Sequence, residues 1–156
     1  HRRVDVAHMG DPERLAGQVA DPGAELVRLA HRNNIRIIPL VGPSSILLAL
    51  MASGLNGQQF AFNGYLPIES NARISKIIEL EKLSISRNQT QIFIEAPYRN
   101  QKLLEQLVKT CSDSTNLCIA SHLTFSNEMV ATRTVKEWNR SLPDINKIPT
   151  IFLLHG

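Results

Sequence analysis

The chain has 156 residues and a mass of 17.4 kDa, a length that supports one compact domain or two small lobes and excludes a large multidomain assembly. With 43% hydrophobic and 20% charged residues, it lies in the ordinary globular range, which excludes disordered, collagen-like and coiled-coil chains. A formal charge of +3 and a pI near 9.1 are compatible with a nucleic-acid partner and do not require one.

Residues 1–20 mix charges, glycines and prolines without a sustained period of 2 or 3.6, and the chain opens on His1, which reads as a fragment or a shortened form. The first firm landmark is Asp21-Pro22-Gly23. Asp21 is suited to cap a helix with Pro22 in its first turn, and Leu26, Val27, Leu29 and Ala30 give that helix an apolar face that Asn33-Asn34 end. Ile35 to Val41 (IRIIPLV) is β-branched and apolar, which predicts a buried strand of the parallel-sheet kind. Gly42-Pro43-Ser44-Ser45 follows, and Ser44-Ser45 opens a second helix that runs to Gly54. That helix holds the longest uninterrupted apolar run, Ile46 to Ala52, far below the roughly 20 residues a membrane crossing needs. The opening residues form no signal-peptide core, so the expected location is the cytoplasm.

From Phe60 a new unit is predicted. FAFNGYLP reads as a strand of period 2, and Ser70 to Leu83 as an amphipathic helix with Ile74, Ile77, Ile78 and Leu80 inside. Gln91 to Ala96 (QIFIEA) is a strand, and Asn100 to Cys111 a helix with Leu103, Leu104, Leu107 and Val108 on one face. Further strands are expected over Asn116–Leu123, Glu128–Thr134 and Thr150–Leu154, with a short helix within Thr134–Arg140. The predicted fold class is α/β: mixed sheets flanked by helices, with antiparallel hairpins near the C-terminus. The expected division is 1–57 as the remnant of an N-terminal α/β lobe, with 1–20 unassigned, and 58–156 as a C-terminal α/β lobe.

Three constellations carry possible chemistry. Gly42 to Ser45 sits between a predicted strand and a helix, where open α/β sheets place ligand loops; a tight turn capped by serine has the same composition. Glu95-Ala96-Pro97-Tyr98-Arg99 ends a core strand, where a carboxylate can accept a proton or position a cation and Arg99 can meet Glu95 or a phosphate; a structural Glu–Arg pair is the alternative. His122 closes the strand NLCIASHL, either as a base or as a hydrogen-bonded structural residue. The basic residues Arg73, Lys76, Arg87, Arg99 and Lys102 form either a rim for a phosphate backbone or an ordinary solvated helix face. Aromatic residues spaced for stacking on single strands are absent from the pattern, since the five Phe, two Tyr and one Trp fall mostly in core-like strands. No histidines or cysteines stand at metal-ligand spacing, so no metal site is expected, and Cys111 and Cys118 read as reduced thiols.

In order, DPGAELVRLAHRNNIRIIPLVGPSSILLALMASGL, FAFNGYLPIES, IFIEAPYR and IASHLT resemble the tetrapyrrole methylase superfamily, on the branch of the bacterial small-subunit ribosomal RNA cytidine 2′-O-methyltransferases. The resemblance runs from Asp21 to Gly156 and rests on order and spacing. It implies a two-lobed α/β methyltransferase that binds S-adenosylmethionine between its lobes, acts on ribosomal RNA in bacteria and forms a homodimer. By matched positions it places Gly42, Pro43, Ser44, Ser45, Ile94, Ala120, Ser121, Pro149 and Thr150 at the cofactor, and Arg99, Thr124 and Glu128 at the substrate. It makes Glu95 and His122 the candidates for removing a proton from the attacking hydroxyl.

The sequence departs from that pattern in several places. Val41-Gly42-Pro43 stands where the branch has PGP, Ser121 to Phe125 (SHLTF) where it has RELTK, and Ile148-Pro149 where it has Gly-Glu. The acidic loop before DPG is shortened at Ala16 to Val19, and the family's first strand with its Pro-Gly cofactor loop has no counterpart, so this chain by itself is expected to be an incomplete and inactive part. Two alternatives stand beside the leading reading: a methyltransferase of the same fold acting on a tetrapyrrole or corrin, and a non-catalytic lobe that dimerises or binds RNA.

Overall fold

The computed structural model describes residues 22–156. They divide into two compact units, one ending at Pro43 and the other running from Ser44 to Gly156. The expected cap at Asp21, and His1 and His8, lie outside the described residues.

In the first unit, helix α1 spans Pro22–Arg32. It ends where Asn34 takes a left-handed φ of 53° and its N–H donates to the carbonyl of His31, while the Asn33 side chain donates to the Leu29 carbonyl at 2.8 Å. The strand expected over Ile35–Val41 does not form: these residues are extended coil, with Leu40 at 62% and Val41 at 107% exposure. The reason lies within the run. Pro39 removes a ladder donor, and β-branched residues make a strand only where a neighbouring strand supplies the other half of the hydrogen bonds.

The second unit starts with helix α2, Ser45–Ser53, whose N-cap Ser44 is extended and makes no side-chain cap bond, and whose C-cap Gly54 adopts φ 69°. Strand β1 covers Phe60–Tyr65, helix α3 Ser70–Arg87 and strand β2 Thr90–Ile94. A 3₁₀ turn over Pro97–Arg99 leads into helix α4, Asn100–Thr110. Strand β3 spans Asn116–Ser121, β4 Met129–Thr134, the short helix α5 Val135–Trp138 and β5 Thr150–His155. The strands form one five-stranded sheet in the order β1-β2-β5-β3-β4. β1 and β2 run parallel, whereas β5 is antiparallel to both β2 and β3, and β3–β4 is an antiparallel hairpin. The mixed sheet and C-terminal hairpin thus match the sequence expectation.

Alternation along the central strands gives the sheet two apolar faces. Phe93, Leu117, Ile119, Phe152 and Leu154 meet α3, α4 and α5, with Phe93 and Phe152 stacked at 5.9 Å between ring centroids. Ile92, Cys118, Ala120, Ile151 and Leu153 meet Ala49 and Leu50 of α2. Trp138 anchors α5 by donating its indole N–H to the Leu117 carbonyl at 2.8 Å.

Helix α3 departs from expectation in two ways. It continues past Leu83 to Arg87 because Ser84 faces inward, where its Oγ accepts the Gly156 N–H, and Asn88 at φ 49° ends the helix only after it. Its buried stripe is Arg73, Ile77, Leu80, Glu81 and Ser84, while Ile78, expected inside, is 37% exposed. Both charged members of that stripe are held: Glu81 accepts from the Ser112 N–H and the Thr115 hydroxyl, and Arg73 is bonded as described below.

Candidate active site

The NGYLP segment shows how local sequence positions the site. Between Phe62 and Tyr65 the β1–β2 register shifts by a bulge, and Gly64 sits in it at φ 63°, a conformation costly for residues with a Cβ. Asn63 holds the bulge by donating to the Gln91 side chain at 3.1 Å and the Ile92 carbonyl at 3.3 Å. The chain then turns through buried Leu66 to Pro67 and Ile68, and Glu69 caps α3 by accepting from the N–H groups of Asn71 and Ala72. These two bonds hold the Glu69 carboxyl below its ordinary value.

Arg73, one turn into α3, is 2% exposed. Its Nε donates to the Pro67 carbonyl at 2.8 Å, Nη2 to the Ile68 carbonyl at 2.6 Å and Nη1 to the Gln106 side-chain oxygen at 2.9 Å. The reading of Arg73 as part of an exposed basic rim is therefore corrected: the carbonyls at the end of the β1–α3 connection draw it inside. Of the other rim candidates, Lys76 pairs with Glu79 at 2.8 Å, and Arg87 and Lys102 are exposed.

Glu95 follows β2 directly and its side chain is fully enclosed. Oε1 accepts from the Ala96 N–H at 2.7 Å and from Arg99 Nη2 at 2.6 Å. Oε2 lies 4.0 Å from Arg73 Nη2 and has no hydrogen-bond partner. Arg99, with its side chain 23% exposed, also donates to the Tyr98 hydroxyl at 2.6 Å and lies over that ring at 4.9 Å. The Glu95 carboxylate beside it holds the Arg99 guanidinium above its ordinary range, against the opposing pull of partial burial. The next residue, Asn100, is buried and donates to the Ile148 carbonyl at 2.6 Å, while the Lys147 N–H donates to the Pro97 carbonyl at 3.0 Å. These two bonds clamp the segment before β5 onto the EAPYRN turn.

Cross-strand register brings several candidates to one end of the sheet. Ile94 pairs with Ile151, which pairs with Ala120, and Ser121 pairs with both Thr150 and Met129. Ala120, Ser121 and Thr150 are buried, Ile94 is half-buried and Pro149 exposed. Ile94 and Ala120 belong to the apolar face beneath α2, and Ser121 and Thr150, one step along their strands, turn to the opposite face.

His122 does not close β3 as expected. The strand stops at Ser121, and His122 begins the β3–β4 turn at φ 51°. Thr124 in the same turn has φ 71°, and its N–H donates to Glu128 at 2.7 Å. Non-glycine residues in this region store strain, which the Thr124–Glu128 bond and the flanking hairpin sustain. Ser44 and Ser45 begin α2 in this same unit, whereas Gly42 and Pro43 belong to the first unit. A Cβ placed on Gly42 meets no atom within 4 Å, so packing does not demand glycine there. Among the described residues no group of histidine, cysteine, aspartate or glutamate is arranged to hold a metal ion.

Sequence reasoning singled out Arg73 but missed its burial, and it missed Asn100 altogether. Arg73 did leave a signal, since it sits four residues before Ile77 on the apolar stripe of its helix, where a guanidinium needs buried acceptors. Asn100 left none, because it reads equally well as an ordinary first-turn residue.

A solved structure with the same fold is the methyltransferase CobJ, at TM-score 0.54 and 15% identity, covering 86% of this chain and 57% of that one. No family model matches the chain. Among curated proteins, the ribosomal RNA small subunit methyltransferase I of Vibrio cholerae is 31% identical over 141 residues, and that of Escherichia coli O157:H7 33% identical over 141 residues. The Mesorhizobium japonicum protein of that name is 35% identical over 118 residues. The fold and these similarities identify a member of the tetrapyrrole methylase superfamily. Within it, the chain is similar to the ribosomal RNA small subunit methyltransferase I proteins. It spans about half their length: 88% of this chain aligns with 48% of the Vibrio cholerae and Escherichia coli proteins, and 76% with 39% of the Mesorhizobium japonicum one.

Proposed function

We propose that the protein is an S-adenosylmethionine-dependent methyltransferase that methylates a ribose 2′-oxygen in small-subunit ribosomal RNA. The observation that supports this best is the similarity, over 88% of the chain, to ribosomal RNA small subunit methyltransferase I proteins of several bacteria. In this reading residues 1–57 descend from the N-terminal lobe and 58–156 from the C-terminal lobe. The protein works in the bacterial cytoplasm as a homodimer; no helix among the described residues is long and apolar enough to cross a membrane.

The proposed cofactor residues are Gly42, Pro43, Ser44, Ser45, Ile94, Ala120, Ser121, Pro149 and Thr150. Their chemistry suits the ligand, combining small and apolar side chains with hydroxyls. The glycine at 42, which neither its φ nor packing requires, fits a backbone that approaches a ligand. When bound, the cofactor supplies an electrophilic methyl on a sulfonium. This chain's residues would hold the ribose oxygen in line with that methyl and draw off its proton. His122, half-buried on the strained turn, is the freer of the two candidate bases, because Oε1 of Glu95 is already engaged at 2.6 Å. Glu95 then orients Arg99, which with Thr124 and Glu128 faces the substrate.

The test is transfer of isotopically labelled methyl from S-adenosylmethionine to small ribosomal subunits or their RNA by the full-length protein, with the label located by nucleoside mass spectrometry. Label on a 2′-O-methylated nucleoside supports the reading. Cofactor binding with transfer only to a tetrapyrrole or corrin would replace the substrate class, and no cofactor binding would leave a non-catalytic lobe.

A further inference from the structure

Glu95 and Arg99 alone would make a neutral pair, and a neutral pair is a poor receptor for an anion. The buried guanidinium of Arg73 changes that sum. We propose that Arg73 supplies the positive charge that turns the Glu95–Arg99 pair into a receptor for a phosphate of the RNA strand, an inference that rests on the ribosomal RNA reading above.

Three observations carry it. Arg73 spends its hydrogen bonds on neutral oxygens, the carbonyls of Pro67 and Ile68 and the side chain of Gln106, and the carboxylates near it, Glu95 at 4.0 Å and the exposed Glu69, take none of them. The nearest carboxylate oxygen, Glu95 Oε2, has no hydrogen-bond partner and lies 4.0 Å away, while Oε1 of the same carboxylate binds Arg99 at 2.6 Å. One carboxylate therefore faces two guanidiniums. Arg73 is enclosed and Arg99 is 23% exposed, so the excess charge of the cluster can meet a ligand only through Arg99.

The shape of the exposed member suits the role. Nη1 and Nη2 of Arg99 are fixed by Tyr98 and Glu95, and the guanidinium lies over the Tyr98 ring. A planar donor held in this way meets a phosphate with little further loss of side-chain freedom. The Lys147 N–H bonded to the Pro97 carbonyl brings another basic residue to the same turn. Arg73 is thus a positioning residue that acts through Arg99. Its bonds to the β1–α3 carbonyls also serve structure, and the test separates the two roles by charge.

The experiment measures binding of a single-stranded RNA oligonucleotide from small-subunit ribosomal RNA by fluorescence anisotropy across salt concentrations, with thermal melts of every variant. Arg73→Gln loses the charge and the fork, and is expected to weaken binding about three- to tenfold and to lower the salt slope by about 0.7, the share of one phosphate on a single strand. Arg73→Lys loses the fork and keeps the charge, so it melts lower yet binds close to the wild type. Arg73→Gln added to Arg99→Gln should cost nothing more. If the lysine and glutamine variants weaken binding equally, or Arg73→Gln still weakens binding when added to Arg99→Gln, Arg73 is structural and the inference falls while the RNA reading stands. A wild-type protein that does not bind the RNA at all overturns both.

Discussion

Replacing Glu95 with glutamine tests the site through its most enclosed charge. The side chain keeps its shape and an oxygen acceptor near Arg99, and loses the charge that both Arg73 and Arg99 face. Removing one partner of a buried ion pair costs about 3–5 kcal/mol. The retained acceptor and the partial exposure of Arg99 put this case at the low end, roughly 3 kcal/mol. At about 3–4 °C per kcal/mol for a chain of this size, the melting temperature should fall by roughly 10 °C. With Arg99 no longer drawn to a carboxylate, turnover should drop at least about tenfold, or ~1.4 kcal/mol of transition-state stabilisation. Affinity for S-adenosylmethionine should stay the same, because the changed group faces the arginines. The assays are calorimetric melting of this chain, and cofactor titration and methyl transfer at saturating RNA with the full-length protein. A variant that melts and turns over like the wild type would refute the reasoning, since it would mean that the carboxylate charge neither holds the two guanidiniums nor orients one of them.

Three further outcomes follow from the geometry. Gly64→Ala puts a Cβ on the left-handed bulge residue at φ 63° and should cost about 1–2 kcal/mol in urea unfolding; no loss would mean that the bulge relaxes freely. Burial pushes the Cys111 thiol up to about 12, with the Glu81 charge adding to it, and burial also raises Cys118. Neither thiol should therefore react with a disulfide reagent at pH 8 until the protein unfolds, and rapid labelling of the native state would contradict the packing. Glu69 and Glu137 cap α3 and α5, and their bonds to backbone N–H groups and to Thr134 hold both carboxyls below the ordinary 4.5. Their contribution is present above that value and lost as pH falls through the lowered folded values, so Glu69→Gln and Glu137→Gln should flatten the acid limb of stability below pH 4.5; an unchanged limb would show that these caps are not linked to folding.

Most of the second unit was legible because its elements obey local rules. The apolar face of Leu103, Leu104, Leu107 and Val108 has the helical period, and QIFIEA and TIFLL are short β-branched and aromatic runs of strand length, buried on both faces. The IRIIPLV run misled because its composition is that of a strand while Pro39 interrupts the ladder, and strand formation depends on a partner that composition does not reveal. His122 left the strand for a positive φ because the hairpin closes there, which is a property of β4 as much as of β3. The Glu95–Arg99 contact could be read as a possible pair at i, i+4. For the burial of Arg73 the only sign was its place four residues before Ile77, since its acceptors are backbone carbonyls at 67 and 68 and a glutamine 33 residues away. Roles for Glu95, His122 and the cofactor residues came from the family pattern, and the geometry adds which of their atoms are already committed.

The most direct test of the account is nucleoside mass spectrometry of small-subunit ribosomal RNA from cells of the source organism with and without the gene. The account predicts that one 2′-O-methylated nucleoside disappears when the gene is deleted and returns with a wild-type copy, while a Glu95→Gln copy restores it slowly or in part. An identical set of ribose methylations in both strains would contradict the assignment of ribosomal RNA as the substrate.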